Sequence, residues 1–369
     1  MVMHSLRIAI VGAGLSGLYA AYRLEQMGIS DYVLIEARDV VGGRIASGNH
    51  GQDRFDLGPT WFWPDIQPQL DALIHELALE RFAQFEDGDT LIERTPGVPP
   101  TRIQGYVNVP ASMRLSGGMG QLIEALHQRI DPARVVTGQA VRQLKATDQS
   151  VELLCENSSG SSTRWQAGQV LMAVPPRLTM EHIAFSPALP QAQAEQWRAT
   201  ATWMAPHAKY IATYTTPFWR EHGLSGEARS AIGPLSEIHD ASTPGDSAAL
   251  FGFFGIPAEV RKSVPPAVLR SHCRAQLTRL FGPQAATPSA EFIKDWAWDI
   301  YTASSADRNE AGQHSQPPVP TIPSGPWCNK IVGIGSEWSP QFPGYVAGAI
   351  DAVNRAMQGL SNTSGNELK

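Results

Sequence analysis

Cysteine is scarce in this 369-residue chain. Cys155, Cys273 and Cys328 stand far apart, with no C-x-x-C among them, so neither a disulfide framework nor a zinc site is expected, and a reducing compartment fits. Positive charge is short as well. Twenty-nine Lys and Arg face 35 Asp and Glu, for a net charge of -6 and a pI near 5.9, which argues against a nucleic-acid partner. The ten histidines form no H-E-x-x-H or similar spacing, so no metal is expected. Long apolar runs are missing too. The opening "MVMHSLRIAIVG" has no h-region of the secretory kind, no stretch approaches a bilayer span, and the tail "SNTSGNELK" is polar. The expectation is a soluble, cytoplasmic protein with no membrane partner; oligomeric state is not legible. There is no internal repeat, and the one biased tract is the proline-rich connection 304–327.

At 43% hydrophobic, the chain can bury a large core, and its length predicts two domains or one large two-part fold. "RIAIVGAGLSGLYAAYRLEQMG" (7–28) reads as strand, turn and helix. "DYVLIEA" (31–37) reads as a second buried strand, giving a βαβ opening. A helix is predicted over 67–82, another after the glycine turn at 117–119, strands over 133–157 and 169–174, strands of a second sheet over 208–219 and 247–256, and a helix over 265–282. Near the end, Ile331–Gly335, "SEWSPQFPGYV" and a final helix repeat the order of strand, glycine turn and helix.

Gly12, Gly14 and Gly17 form G-x-G-x-x-G between a strand and a helix, and Glu36 ends the next strand where an acid would meet a ribose. That context points to a dinucleotide whose pyrophosphate lies on the helix N-terminus. Gly42, Gly43 and Arg44 follow at once. NAD enzymes do not need a second glycine pair there, whereas flavoproteins often have one; an ordinary turn with a solvated arginine is the other reading. Taken alone, Lys209 in "APHAKYIATY" reads more readily as an exposed lysine on an edge strand, because burial without a partner is costly. Trp296 and Tyr345, each alone, read as core aromatics.

Six segments in order change those readings. "IVGAGLSGLYAAYRL" with "IEARDVVGGRI", "FDLGPTWFWP", "SGGMGQLIEAL", "AVPPRL", "HAKYIATYTTPFWRE" with "DWAWDIYTAS", and "GIGSEWSPQFPGYVAGAIDAVNRA" resemble the flavin-containing amine oxidases over nearly the full length, most weakly across 65–113 and 222–290. The resemblance implies an α/β fold, with a Rossmann-like FAD-binding domain of the glutathione-reductase kind built from 1–68, 112–196 and 299–369. A mixed α+β substrate domain, 69–111 and 197–298, would carry a shortened helical insert. It implies cofactor contacts from Gly12, Gly14, Gly17, Glu36, Arg38, Gly43, Arg44, Gly58, Val141, Gly335, Glu337 and Val346. The late glycine turn would thus complete the first nucleotide site, with Glu337 on the ribityl chain. Catalytic roles fall to Lys209, holding a water at flavin N5, and to Trp296 and Tyr345 beside the flavin and the amine. Trp61, Trp63 and Tyr345 would line the substrate pocket.

Three departures qualify this. Ser305 stands where some members carry a cysteine that tethers the flavin, so FAD is expected to be non-covalent. Ala306 replaces the second aromatic of the amine cage. Pro59-Thr60-Trp61-Phe62 offers no arginine to clamp an amino-acid carboxylate, and its aromatics suit an apolar or aryl amine. The expected reaction is oxidation of an amine to an imine, with O2 yielding H2O2. C–C oxidation on the same fold and a low-turnover flavin-binding role are the alternatives, an NAD dehydrogenase the weakest.

Overall fold

A computed structural model describes residues 4–245, 247–309, 312 and 314–364. The chain divides into two compact units: Met1–Ile45, Leu122–Trp203 and Ile300–Lys369 form the first, Ala46–Gln121 and Met204–Asp299 the second. Residues 46–68 and 112–121, grouped by sequence with the first part, therefore lie in the second.

The first unit is built on an eight-stranded sheet. His4–Val11 lies at its middle, paired in parallel with Tyr32–Ile35 on one side and Ser162–Met172 on the other. Parallel strands covered on both faces need apolar side chains throughout, and Ile8, Ala9, Ile10, Tyr32, Val33, Leu34 and Ile35 are all almost fully buried. Helix Leu15–Gln26 makes the crossover. The long strand Ser162–Met172 shares its other edge between two partners. Val151–Glu156 runs antiparallel along its first half, and Ile331–Gly333 pairs in parallel with Val170–Met172. The end of the chain thus returns to the sheet that its beginning opened. Helix Val346–Ser364 follows.

The second unit carries a seven-stranded mixed sheet, in the order Ala290–Asp295, Ala208–Tyr214, Ala248–Phe254, Leu235–Asp240, Leu224–Ser230, Asp89–Glu93, Thr101–Gln104. Side chains alternate between faces. Tyr210, Ala212, Leu250, Ile238 and Ala228 pack with Leu269, Cys273, Leu277 and Leu280 of helix Pro266–Phe281. Ile211, Ala249 and Phe251 gather on the opposite face with Phe55. Lys209 lies on that second face.

Two elements correct the sequence reading. The helix expected over 67–82 spans Pro68–Glu76, and Arg81–Ala83 is a strand. Ala78 at φ 55 takes the chain out of the helix, and Leu77 and Leu79 donate to Leu73 and Ile74 as the last turn closes. The rest of 65–113 is short strands, Asp89–Glu93, Thr101–Gln104 and Met113–Leu115, and not a cut-down helical insert.

Candidate active site

The nucleotide cradle is in the first unit. Gly12 has φ 99, and a Cβ there would meet Val174 at 2.8 Å; a Cβ on Gly17 would sit 1.9 Å from the Gly12 carbonyl oxygen. Both glycines are required by the protein itself. Gly14 is not. Its φ of -73 and ψ of -171 suit any residue, and a Cβ there meets nothing closer than Gly43 Cα at 3.7 Å. What Gly14 keeps clear is space outside the protein, in front of a twelve-residue helix whose N-terminus has neither a side-chain cap nor an acid in its first turn. Free N–H groups and an uncompensated dipole suit a pyrophosphate. Gly42 and Gly43 form the facing wall: Gly14 and Gly42 make an isolated parallel bridge, and the Gly42 N–H donates to Ala13 O.

Glu36 lies at the end of the second strand, 4% exposed, its carboxylate accepting from the N–H of Ala13 (2.7 Å) and of Arg38 (2.9 Å). The Arg38 guanidinium lies 5.1 Å over the Tyr301 ring. Val141 is buried in the sheet core, where strand register slips between it and Gln143. Arg44 and Glu337, 293 residues apart, meet in a two-pronged ion pair (2.5 and 3.2 Å), and Arg44 also donates to Ser336 Oγ at 3.1 Å. Such a pair, with Glu337 almost fully buried, fixes both side chains in orientation. Gly335 precedes the single turn Ser336–Trp338, and Val346 opens the last helix just after Gly344. These residues fit a long dinucleotide held from both ends of the chain.

Tyr345 belongs to this unit too. Its neighbours were not legible in the sequence: Trp203 at 4.5 Å and His314 at 5.4 Å between ring centroids, the latter nearly parallel at 11°. A guest between two rings needs about 7 Å, two carbon contacts of ~3.5 Å each. Tyr345 and His314 therefore touch each other and leave no room for a guest between them.

In the second unit, strand alternation turns Lys209 to the sheet face opposite helix Pro266–Phe281. It is 2% exposed and lies on an interior strand, which overturns the edge-strand reading. Its Nζ donates to Thr60 Oγ1 (2.6 Å) and Gly58 O (3.3 Å) and stands 3.9 Å above the Phe251 ring. Burial pushes the ammonium down to about 7; Asp56 opposes that shift and Arg114 adds to it. Burial also pushes Asp56 up, against the charges of Lys209 and Arg114. Trp296 donates its indole N–H to Leu57 O at 3.0 Å. The segment Leu57 to Thr60, just past strand Asp53–Asp56, is thus gripped by both Lys209 and Trp296, and Gly58 belongs to that grip.

Trp61 and Trp63, predicted for the substrate pocket, line one cavity of about 190 Å³ within this unit. The Trp61 ring meets Phe251 at 5.3 Å and His239 edge-on at 4.9 Å. Acids unread in the sequence stand beside them: Glu86, Glu227 and Glu237. Glu227 and Glu237 sit on polar strands, which in sequence look like a solvated sheet face, and Glu86 lies in the loop before Asp89–Glu93. Only strand register brings them together.

Comparison with known proteins now bears on this arrangement. A family profile described as "flavin containing amine oxidoreductase" matches residues 101–358, and one described as "NAD(P)-binding Rossmann-like domain" matches 10–77. The chain belongs to the flavin-containing amine oxidoreductases. Within that family it is similar to the probable flavin-containing monoamine oxidase A of Dictyostelium discoideum, 23% identical over 96% of this chain and 97% of the relative. It is also similar to the putrescine oxidase of Kocuria rosea, 24% identical over 89% and 91%. Among solved structures, putrescine oxidase with putrescine bound matches with a TM-score of 0.80 over 98% of this chain and all of that one, at 22% identity. The cyclohexylamine oxidase of Brevibacterium oxydans gives 0.79 at 20%; at such identity the likeness is one of fold. As a family member the chain is an FAD-dependent oxidoreductase, and the alternative of C–C oxidation is not favoured by these relatives. Non-covalent FAD, which is typical of the family, also suits Ser305. Among the described residues no helix is long and apolar enough to cross a membrane, and no group of side chains could hold a metal.

Proposed function

We propose that the chain oxidises an amine at its C–N bond and passes the electrons to O2. The observation that carries this reading is the convergence of Lys209 and Trp296 on the Leu57–Thr60 segment, beside a cavity walled by Trp61 and Trp63. The first unit is the FAD-binding part, through the Gly12–Gly17 and Gly42–Gly43 cradle, Glu36 and the Arg44–Glu337 pair. The second is the substrate part. FAD supplies the two-electron acceptor.

The amine binds neutral, since desolvation against aromatic walls disfavours its ammonium form. The substrate gives up a hydride from its α-carbon and a proton from nitrogen, leaving an imine. Water splits the imine into a carbonyl compound and ammonia or an amine, and O2 takes two electrons and two protons to leave as H2O2. Lys209 holds a water, donating when it is an ammonium and accepting when neutral. Thr60 Oγ1 and Gly58 O fix its direction. Trp296 holds the strand end in place.

Anaerobic titration of the yellow holoprotein tests this. Amines should bleach the visible flavin band, and air should restore it with release of peroxide. A flavin that dithionite reduces and no amine does would overturn the proposal.

A further inference from the structure

The sheet face that carries Lys209 also presents a histidine to the cavity beside Trp61. His239 lines that cavity; its ring meets the Trp61 ring edge-on at 4.9 Å and lies 5.3 Å from Phe251. Phe251 in turn lies under Lys209 Nζ at 3.9 Å. Register pairs His239 with Phe251, and Phe251 with Ile211 of Lys209's own strand. His239 thus stands two strands from Lys209, about 10 Å at ~4.8 Å per strand.

The imidazole is held through one nitrogen. His239 Nε2 lies 2.7 Å from Glu237 Oε1, and a carboxylate only accepts, so Nε2 carries the hydrogen. Glu237 is fixed in its turn, because its other oxygen accepts from Arg229 at 2.7 Å. The bond from His239 holds the Glu237 carboxyl below the usual range against its burial, and the charges of His239 and Arg229 act the same way. A neutral imidazole that donates from Nε2 keeps a lone pair on Nδ1, and among the described residues nothing bonds to that nitrogen. The charged groups around it are spent elsewhere. Arg229 donates to Glu227 and Glu237, Lys209 to Thr60 and Gly58, and Asp240, next in the strand, accepts from Trp219 and Arg220. Across the cavity Glu86 accepts from Asn108. An anchored carboxylate behind an imidazole with an open acceptor is the arrangement in which histidine works as a general base.

An amine that is oxidised neutral but arrives as an ammonium has to lose a proton first. We propose that His239 is a further catalytic residue, the base that takes this proton from the substrate's ammonium group before oxidation. The inference rests on the amine-oxidation reading and adds a step to it. An N–H bond of the ammonium breaks, its electron pair stays on the amine nitrogen, and the proton forms a bond to His239 Nδ1. The imidazolium is paired with Glu237, which makes Glu237 a positioning residue. The proton passes to water as the product leaves.

The test follows anaerobic flavin reduction in the holoenzyme with a primary amine that bleaches it, 2-phenylethylamine first, and with the β,β-difluoro analogue of that amine. Fluorine makes the second amine largely neutral at pH 7. His239→Asn offers an acceptor and takes no proton. At pH 7 it should lower kcat/KM for the ordinary amine about tenfold or more and leave the fluorinated one within about threefold of wild type. The loss should shrink as pH rises towards the ordinary amine's own ionisation. A merely structural role would cut both amines alike at every pH. Equal loss with both amines, or loss with neither, would overturn the inference and leave amine oxidation standing. A wild type that no amine bleaches overturns both readings. If His239→Asn does not retain FAD, His239→Phe, which keeps ring contacts with Trp61 and Phe251, is read against the same outcomes.

Discussion

Lys209 is the side chain whose charge state matters most. Below about 7 it is an ammonium buried against Thr60 and Gly58; above that it is a neutral amine. The amine that binds neutral arrives as an ammonium, which the first form repels and the second does not, so KM should fall as pH rises through this range. The charged groups that bear on Lys209 are Asp56 and Arg114. Asp56→Asn removes the one that favours the ammonium, so the pH limb should move to lower pH. Lys209→Met should abolish the limb while the slope from the substrate's own ionisation, at higher pH, remains. A limb unmoved in both variants would assign it to another group. Gly14 makes a complementary case. Because a Cβ there meets nothing closer than 3.7 Å, Gly14→Val should leave the apoprotein's stability within about 0.5 kcal/mol of wild type and yet lose FAD during purification. Unfolding curves with a flavin-to-protein ratio report the two effects separately.

At the scale of elements, burial separates the three cysteines. Cys155, inside strand Val151–Glu156, is pushed up to about 12, and Cys273, between helix and sheet, is pushed higher still by the same cause. Cys328 is only half-buried. A thiol reagent at pH 8 should label one cysteine quickly in the native protein and three after denaturation; fast labelling of all three in the native state would contradict this packing. Elements with an unbroken apolar run were the legible ones. His4–Val11, Tyr32–Ile35 and Ala248–Phe254 sit in sheet interiors, and their sequences say so. Strands Leu224–Ser230 and Leu235–Asp240 were missed, since "LSGEARS" and "LSEIHD" alternate with polar and charged residues and the first draws support from Asp89–Glu93, over 130 positions earlier. The site divides the same way. The cradle glycines, Glu36, Lys209 and Trp296 lie in motifs whose spacing is local. Glu227, Glu237, His239, Trp203 and His314 take their places only through pairing between distant strands or loops.

Over the whole molecule, the cofactor should act as a stabiliser. On the proposed placement FAD binds the folded first unit and not the unfolded chain, so at a hundred times its Kd it should add about 2.7 kcal/mol. A Tm that rises with added FAD in wild type, and does not in Gly14→Val, would bear this out; equal shifts in both would place the flavin elsewhere. The alignment with the Dictyostelium relative spans 463 positions against this chain's 369 residues, so it runs through gaps.

The pairing of Arg44 with Glu337 also sets an order of events during synthesis. Arg44 leaves the ribosome 293 residues ahead of its partner, which at about 5–20 residues per second is a wait of roughly 15 to 60 s. The second unit is complete at Asp299, before Ile331–Gly333 has been made to close the first sheet. The nascent chain thus finishes its second unit first and carries an incomplete first unit until Ile331–Gly333 emerges. On the proposed placement of FAD, capture of the cofactor has to wait for Ile331–Gly333, and a chain stalled before residue 331 should be colourless however well its early motif is folded.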